Sequence, residues 1–251
     1  MPAWSDSSEW IPVVLAGGLG TRLRAVCPDT PKPLVPLLGK PFLDWLLLYL
    51  RACAFRRVVI STGYRADDFS AYNGAGHVEG LDLRTIAEPQ PLGTAGAFCH
   101  AVEEANLVGN LVVLNGDTLV LTRLEPMLQD FQRHSAKASI VAVPVPDAER
   151  YGSLDVDQDG RVLGFREKRP GAGLVNAGIY FFRRDMVAEF PQRRPLSFEH
   201  QVFPHLLVSG HTIRSYSCAA PFLDIGVPQS LAAAPTFLKS HFEPFLRQVQ
   251  S

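Results

Sequence analysis

A glycine-rich segment near the amino terminus contains residue types that bind phosphate. Gly17, Gly18 and Gly20 let the backbone approach a ligand closely and adopt positive φ angles. A loop that leaves a strand and enters a helix directs its free N–H groups at an anion. Thr21 adds a hydroxyl and Arg22 adds a planar set of charged donors. A triphosphate requires such groups, although the glycines alone would also suit a tight turn that only connects a strand to a helix.

Two common nucleotide-binding patterns do not fit this segment. The chain contains no Gly-x-x-x-x-Gly-Lys-Ser/Thr string, which a P-loop requires. The dinucleotide pattern Gly-x-Gly-x-x-Gly also fails, because counting from Gly18 and Gly20 places Leu23 at its last position. Lys32 is a second candidate phosphate ligand. It lies between two prolines that stiffen the backbone, although a Pro-Lys-Pro segment by itself is also typical of a solvated loop.

The order of apolar runs and amphipathic segments predicts the elements that position these residues. The predicted strands are Trp10–Ala16, Arg57–Thr62, Leu81–Ile86, Asn110–Asn115 and Ala138–Val145. The predicted helices are Pro41–Ala52, Gly93–Ala105 and Leu124–His134. This alternation implies an α/β fold with a mainly parallel sheet, covered by helices on both faces and joined by right-handed crossovers. Ligands bind at the carboxyl ends of such strands, where both the glycine turn and Asp117 are expected.

The second part of the chain predicts shorter strands. Residues 153–156, 162–167 and 177–182 alternate with turn-forming residues, so we expect a small β-rich subregion that forms a wall of the site. Residues 232–250 predict a carboxyl-terminal helix that is interrupted near Pro235 and Pro244. No repeat, low-complexity tract or linker divides the chain, and we therefore expect one domain over residues 1–251.

Composition and charge narrow the function classes. The chain has 251 residues, of which 47% are hydrophobic and 20% charged, which is ordinary for a globular protein. Its formal net charge is −1, so no global positive field indicates a nucleic acid or membrane partner. Residues 1–10 lack Lys and Arg, unlike a signal peptide. Cys27, Cys53, Cys99 and Cys218 are far apart in sequence and are expected to be free thiols in a cytoplasmic protein, with a disulfide as the lesser alternative.

Several sequence motifs along the chain resemble those of the sugar-phosphate nucleotidylyltransferases. The resemblance starts with Leu-Ala-Gly-Gly-x-Gly-Thr-Arg-Leu at residues 15–23 and Pro-Lys-Pro-Leu at 31–34. It continues in order through residues 88–95, 115–117, 151–152, 167–168, 176–180 and 222–226. Within this family, residues 39–43, 91–97 and 223–230 most resemble the D-glycero-α-D-manno-heptose 1-phosphate guanylyltransferases.

The resemblance implies a fold and a reaction. The fold is a single Rossmann-like, mixed sheet of the nucleotide-diphospho-sugar transferase type, with a nucleotide-binding half at about 10–145 and a sugar-phosphate-binding half at about 146–231. The favoured reaction joins GTP and heptose 1-phosphate to give GDP-heptose and pyrophosphate, for bacterial surface polysaccharide such as capsule or lipopolysaccharide. Mannose-1-phosphate guanylyltransferase, or another hexose-1-phosphate nucleotidylyltransferase, is the alternative. The sequence leaves the oligomeric state open, with a dimer as the working expectation.

The resemblance also implies residue roles and a Mg²⁺ cofactor. The implied catalytic residues are Arg22, Lys32, Asp117 and Lys168, and the metal ligands are Asp117 and Asp224. The implied nucleotide-binding residues are Leu15, Ala16, Gly17, Gly18, Gly20, Thr21, Arg22, Glu88, Gly93, Thr94, Asn115 and Gly116. Those for the sugar phosphate are Gly152, Glu167, Lys168, Asn176 and Gly178. A carboxylate at position 88, where many relatives have Gln, weakly favours guanine.

Two other classes of protein share parts of this pattern. A catalytically silent relative that binds nucleotide sugars and regulates a partner would be expected to lose the metal carboxylates or the Pro-Lys-Pro lysine, whereas this chain keeps them. A glycosyltransferase with a similar sheet would use Asp-x-Asp for its metal, whereas position 115 here is Asn. Both classes are therefore less favoured than the enzyme.

Overall fold

The computed structural model describes residues 9–23, 25–134, 136–149, 151–166, 170–192 and 194–250. In these ranges the strands are β1 (Trp10–Leu15), β2 (Pro36–Leu37), β3 (Lys40–Pro41), β4 (Arg57–Thr62), β5 (Gly74–Ala75), β6 (Asp82–Ala87), β7 (Asn110–Asn115), β8 (Thr118–Val120), β9 (Ala138–Val145), β10 (Ser153–Val156), β11 (Val162–Arg166), β12 (Gly173–Phe182), β13 (Ile213–Ser217) and β14 (Phe222–Asp224). The α-helices are α1 (Phe42–Ala52), α2 (Thr94–Glu104), α3 (Glu125–Arg133), α4 (Phe203–Val208), α5 (Pro228–Phe237) and α6 (Glu243–Gln250).

One ten-stranded sheet organises the described residues. Its strands follow the order β11-β10-β12-β7-β1-β4-β6-β5, and β9 pairs with both β12 and β13. The central strands β1, β4, β6 and β7 are parallel, so that Val13 lies between Val59 of β4 and Val113 of β7. Strand β12 runs antiparallel to β7 and β9. The sheet is therefore mixed and parallel at its centre, as predicted.

Both faces of the sheet are buried, which explains why its central strands are continuous apolar runs. Val14 and Ile60 belong to a core that also includes residues of α1, α3, α5 and α6. Val13 and Val59 point to the opposite core, which includes residues of α2 and α4. The expected α/β layers are thus confirmed. No helix of the described residues is long and apolar enough to cross a membrane.

The glycine-rich segment leads into a different element from the one expected. A short 3-10 turn, Thr21–Leu23, follows it, and the first α-helix begins only at Phe42. The prolines of this connection, at positions 28, 31, 33, 36 and 41, account for the difference. Proline lacks an N–H donor and disfavours helical geometry in the residue before it.

The second part of the chain also differs from the sequence prediction. Strand β12 is longer than expected and begins at Gly173. Strands β10 and β11 continue the main sheet beside it. The carboxyl-terminal helical segment begins earlier, at Pro228, where the first turn needs no backbone donor. Instead of breaking at its prolines, this segment continues through a wide π-type turn at Leu238–Phe242 into α6.

Candidate active site

The carboxyl ends of the central parallel strands meet at one cleft of about 740 Å³. The segments that follow β1, β4, β6 and β7 all contribute to its lining. Every residue that the sequence predicted to bind the nucleotide lies in this lining, and Lys32 and Asp117 lie there too. The fold therefore brings these dispersed residues together at the carboxyl ends of the strands, where the sequence predicted a ligand site.

Glycines allow the strand ends to pack backbone against backbone. Tyr64 N donates a hydrogen bond to Gly17 O at 3.3 Å. A Cβ atom on Gly63 would lie only 3.0 Å from that oxygen. On the other side of β1, Gly116 N donates to Leu15 O at 2.9 Å, and a Cβ on Gly116 would lie 2.6 Å from the same atom. Side chains at these two glycines would push the walls of the cleft apart.

The backbone of the glycine turn keeps its donors available. Within the described part of the chain, the N–H groups of residues 17–20 donate to no other backbone group. These residues line the cleft together with Thr21 and Arg22. Unpaired N–H groups at a strand end, next to a guanidinium, are suited to phosphate oxygens.

A cluster of charged residues lies where β7 ends. Strand β14 pairs with β8 so that Asp224 lies opposite Thr118, next to Asp117. Lys32 forms an ion pair with Asp117, and its Nζ lies 3.9 Å from Asp224 Oδ1. Thr118 Oγ1 donates to Asp117 Oδ1 at 2.9 Å, and Gly226 N donates to Asp224 Oδ1 at 2.6 Å. Two carboxylates that are far apart in sequence therefore converge on one ammonium group.

Glu88 lies at the end of β6, with its carboxylate in the cleft. Its Oε2 accepts a hydrogen bond from Leu92 N at 2.9 Å, and its Oε1 lies against Gly17 and Gly63. Burial raises the pKa of the Glu88 carboxyl above its ordinary value of 4.5, and the Leu92 N–H and His100 only partly oppose that shift. The carboxylate is thus half desolvated at the edge of the predicted nucleotide site.

The amino terminus of α2 also faces the cleft. Gly93 has a φ of +76°, and a Cβ there would lie 2.6 Å from Leu196 O. Leu196 O accepts a hydrogen bond from Ala95 N at 2.9 Å, in the first turn of the helix. Thr94 Oγ1 accepts from Phe198 N at 3.1 Å. The segment that precedes α4 therefore caps this helix and fixes its start.

Of the residues predicted to bind the sugar phosphate, the three that the structure describes, Gly152, Asn176 and Gly178, lie outside the lining of this cleft. Gly152 O accepts from Asn176 N at 3.4 Å, which places these two residues side by side. Gly178 has a φ of +71° and packs against the side chain of Asn115. Glu167 and Lys168 lie outside the described residues. Of the described residues predicted to bind the sugar phosphate, Gly178 is thus the one that contacts a residue of the cleft lining, Asn115.

Some lining residues were missed in the sequence. Gly63, Tyr64, Gln90 and Gly226 line the cleft. Gly63 directly follows the strand predicted at 57–62, so the expectation that ligands bind at the carboxyl ends of strands would have found it. Gly226 follows no predicted strand, although it lies in the segment 222–226 that resembles the family. Its place next to Lys32 depends on the pairing of β14 with β8.

Comparison with known proteins identifies the family to which this fold and cleft belong. The family model for nucleotidyl transferase matches residues 11–241. The chain belongs to the nucleotidyl transferase family. The family predicted from the sequence is thereby confirmed, and so is the class of enzyme.

Named relatives of this nucleotidyl transferase differ in length. It is 36% identical to mannose-1-phosphate guanylyltransferase of Mycobacterium tuberculosis over 225 residues, which cover 86% of this chain and 61% of that enzyme. It is 31% identical to D-glycero-alpha-D-manno-heptose 1-phosphate guanylyltransferase of Aneurinibacillus thermoaerophilus over 230 residues, which cover 91% of this chain and 98% of that enzyme. The crystal structure of HddC from Yersinia pseudotuberculosis, complexed with GMP-PN, matches with a TM-score of 0.78 and 33% identity, covering 91% of this chain and 99% of HddC.

Proposed function

We propose that this nucleotidyl transferase joins GTP and D-glycero-α-D-manno-heptose 1-phosphate to give GDP-heptose and pyrophosphate. The observation that carries this proposal is the convergence of the glycine turn, Lys32 and Asp117 in one cleft, with Asp224 next to Lys32. The match to a heptose 1-phosphate guanylyltransferase over 98% of its length supports the choice of sugar. Such a product would be consumed in the assembly of bacterial surface polysaccharide.

The chemistry is an in-line displacement at phosphorus. An oxygen of the sugar phosphate forms a bond to the α-phosphorus of GTP, while the bond from that phosphorus to the leaving pyrophosphate breaks. The attacking oxygen is already an anion, so no strong general base is required. The main task is to hold two polyanions in position and offset their charge. Among the described residues, Arg22 and Lys32 line the cleft as cations suited to this task.

Two carboxylates at the cleft fit a Mg²⁺ ion. Asp117 and Asp224 supply hard oxygen donors that converge on one cation, the Lys32 ammonium. Among the described residues no third carboxylate, histidine or cysteine joins them, which agrees with the preference of Mg²⁺ for one or two carboxylates together with substrate phosphates. When bound, the ion would supply neutralisation of phosphate charge. Thr118 and Gly226 hold the two carboxylates through their hydrogen bonds.

Glu88 is the proposed selector of the nucleobase. A carboxylate is an acceptor only, and it matches the N1–H and the exocyclic amine of guanine. Its position on the lining of the cleft supports this role. We expect turnover with GTP to exceed turnover with ATP, UTP and CTP, whereas a preference for UTP would contradict the proposal.

For the sugar 1-phosphate, the proposed neighbours of the sugar ring are Gly152, Asn176 and Gly178. Lys168 is proposed to hold the sugar phosphate, and Glu167 to accept hydrogen bonds from sugar hydroxyls. These assignments rest on the match of their sequence segments to the family. The contact of Gly178 with Asn115 supports a place for the acceptor beside the nucleotide cleft.

A matrix of substrates tests the proposed function. Each nucleotide is combined with heptose, mannose, glucose and N-acetylhexosamine 1-phosphates, and release of pyrophosphate is measured with and without Mg²⁺. We expect the highest kcat/KM for GTP with the heptose phosphate. A preference for mannose 1-phosphate would instead favour the function of the mycobacterial relative, which is 36% identical. Absence of release with every sugar phosphate would contradict transferase activity.

A further inference from the structure

A chain of hydrogen bonds connects the region proposed to bind the sugar phosphate with the interior of the protein. Asn176 Nδ2 donates to the hydroxyl of Tyr180 at 2.9 Å, and that hydroxyl donates to Glu199 Oε1 at 2.9 Å. The other carboxylate oxygen of Glu199 accepts from Ser197 Oγ at 3.0 Å. At the opposite end, Asn176 Oδ1 accepts from Gly178 N at 2.9 Å. The chain of bonds therefore runs from a half-buried carboxylate to a glycine that packs against the cleft.

The chemistry of Glu199 fixes the direction of every bond. Its carboxylate oxygen Oε1 accepts, and the single hydroxyl proton of Tyr180 is donated to it. Burial raises the pKa of Tyr180 well above its ordinary value of 10, and the charges of Glu199 and Asp117 raise it further, so the phenol keeps this proton. The hydroxyl oxygen can then only accept from Asn176. This orients the Asn176 amide with its nitrogen towards Tyr180 and its oxygen towards Gly178.

The oriented amide holds an irregularity in β12. Pairing of β12 with β9 shifts in register between Asn176 and Tyr180. Gly178 lies within this shift at a φ of +71°, and a Cβ there would lie 2.6 Å from Asn115 Nδ2. Asn115 ends β7, two residues before Asp117. The bulge thus packs closely against the strand end that precedes the charged cluster.

From this geometry we propose that Tyr180 and Glu199 are positioning residues for the sugar 1-phosphate, an inference that rests on the proposed function. Neither residue lines the nucleotide cleft. They act through Asn176, whose amide they orient, and through Gly178, whose backbone that amide holds. Loss of either residue therefore removes the constraint on Asn176 and Gly178 and leaves the glycine turn and Glu88 in place.

The phenol provides a matched test. Tyr180 and Tyr49 are both fully buried, and each donates its hydroxyl proton to one acceptor, which for Tyr49 is Thr122 O at 3.0 Å. Tyr180→Phe should raise the KM for the sugar phosphate about 10-fold, the usual effect of losing a buried hydrogen-bond partner, and leave the KM for GTP within about 2-fold. Tyr49→Phe should lower the free energy of unfolding about as much as Tyr180→Phe does, without changing either KM.

Substitutions of Glu199 separate positioning from general damage. Glu199→Ala should reproduce the rise in sugar-phosphate KM. Glu199→Gln keeps an oxygen for Tyr180 and can donate to Ser197 Oγ, so it should restore most of the wild-type KM. If Glu199→Ala does not fold, the pair of tyrosine variants carries the test.

The outcomes distinguish this inference from the function on which it rests. An active wild type whose sugar-phosphate KM is unchanged in Tyr180→Phe, or whose two KM values rise equally, overturns the positioning role alone. A selective rise that Tyr49→Phe does not share supports it. A wild type without activity on any sugar phosphate overturns the proposed function and this inference together.

Discussion

At the residue scale, Lys32 has a more specific environment than its sequence context predicts. The sequence indicated a phosphate ligand on a stiff loop. In the structure its side chain is only 14% exposed, and its ammonium lies between the carboxylates of Asp117 and Asp224. One cation therefore offsets two anions in a partly desolvated cluster, where charge interactions are stronger than at the surface. Lys32 thus serves the carboxylates as well as the phosphates in the proposed reaction.

Lys32→Ala should lower kcat/KM for pyrophosphate release by about 10²–10³, the usual cost of removing one preorganised charged group. The loss has two causes, since the phosphates lose a cation and Asp117 loses its ion-pair partner. Steady-state rates with GTP and sugar phosphate at saturating Mg²⁺ measure it. Lys239→Ala, at an exposed position of the carboxyl-terminal segment, should leave the rate unchanged. A Lys32→Ala enzyme with near wild-type rates would contradict this role.

Glu88 should make stability depend on pH. Its pKa is higher in the folded protein than the ordinary value of 4.5, because burial disfavours the charged form. Ionisation is therefore harder in the folded state, and the free energy of unfolding falls as the pH rises from about 4.5 through the raised pKa. Urea unfolding of wild type and Glu88→Gln across this range should show a smaller fall in the variant. Glu104→Gln, at an exposed position, should behave as wild type, and equal slopes for all three proteins would contradict the prediction.

The positions of some of these residues can be predicted from the sequence, and those of others cannot, for a physical reason. Asp117 and Gly17 follow apolar strands, so their place at the sheet edge is readable from local pattern alone. The partnership of Tyr180 with Glu199 is not readable in this way. It depends on how the segment before α4 packs against β12, and neither residue carries a local sign of its partner.

At the scale of elements, burial determines which strands can be read from sequence. Arg57–Thr62, Asn110–Asn115 and Ala138–Val145 were predicted with their observed bounds, because strands buried on both faces are continuous apolar runs. Strand β13 was missed because only Ile213 is fully buried in it, and it is defined by its pairing with β9. The ladder of β8 and β14 was missed because each of its strands is only three residues long, although it brings Asp224 next to Asp117 and Lys32.

The start of α2 depends on a glycine that no side chain can replace. Gly93→Ala should lower the free energy of unfolding by more than Gly210→Ala. Both glycines have positive φ angles, but a Cβ at Gly210 meets nothing within 4 Å, whereas at Gly93 it meets Leu196 O at 2.6 Å. Strain at φ alone costs about 1 kcal/mol, and the clash with backbone adds to it. Urea unfolding of both variants measures the difference, and equal losses would show that the contact with Leu196 is unimportant.

At the scale of the whole molecule, the cleft joins parts of the chain that only the complete fold brings together. The glycine turn lies near the amino terminus, and Asp224 lies near the carboxyl-terminal helices. Lys32 connects them through its ion pairs with Asp117 and Asp224. A ligand held by both regions therefore binds the folded state and has no comparable site in the unfolded chain.

Binding of GTP with Mg²⁺ should for this reason stabilise the entire protein. At a free concentration of about 100 times Kd, the ligand adds about 2.7 kcal/mol, which for a chain of this size is a rise in Tm of roughly 5–10 °C. Removal of the metal with a chelator should reduce the rise, because among the described residues Lys32 is then the only cation of this cluster that offsets the charges of Asp117, Asp224 and the triphosphate. Asp224→Asn should reduce the metal-dependent part of the shift. Asp185→Asn, which alters an exposed surface ion pair with Lys137, should keep it. Differential scanning fluorimetry of these proteins measures each shift, and an equal rise with and without metal would contradict the assignment of Asp117 and Asp224 as its ligands.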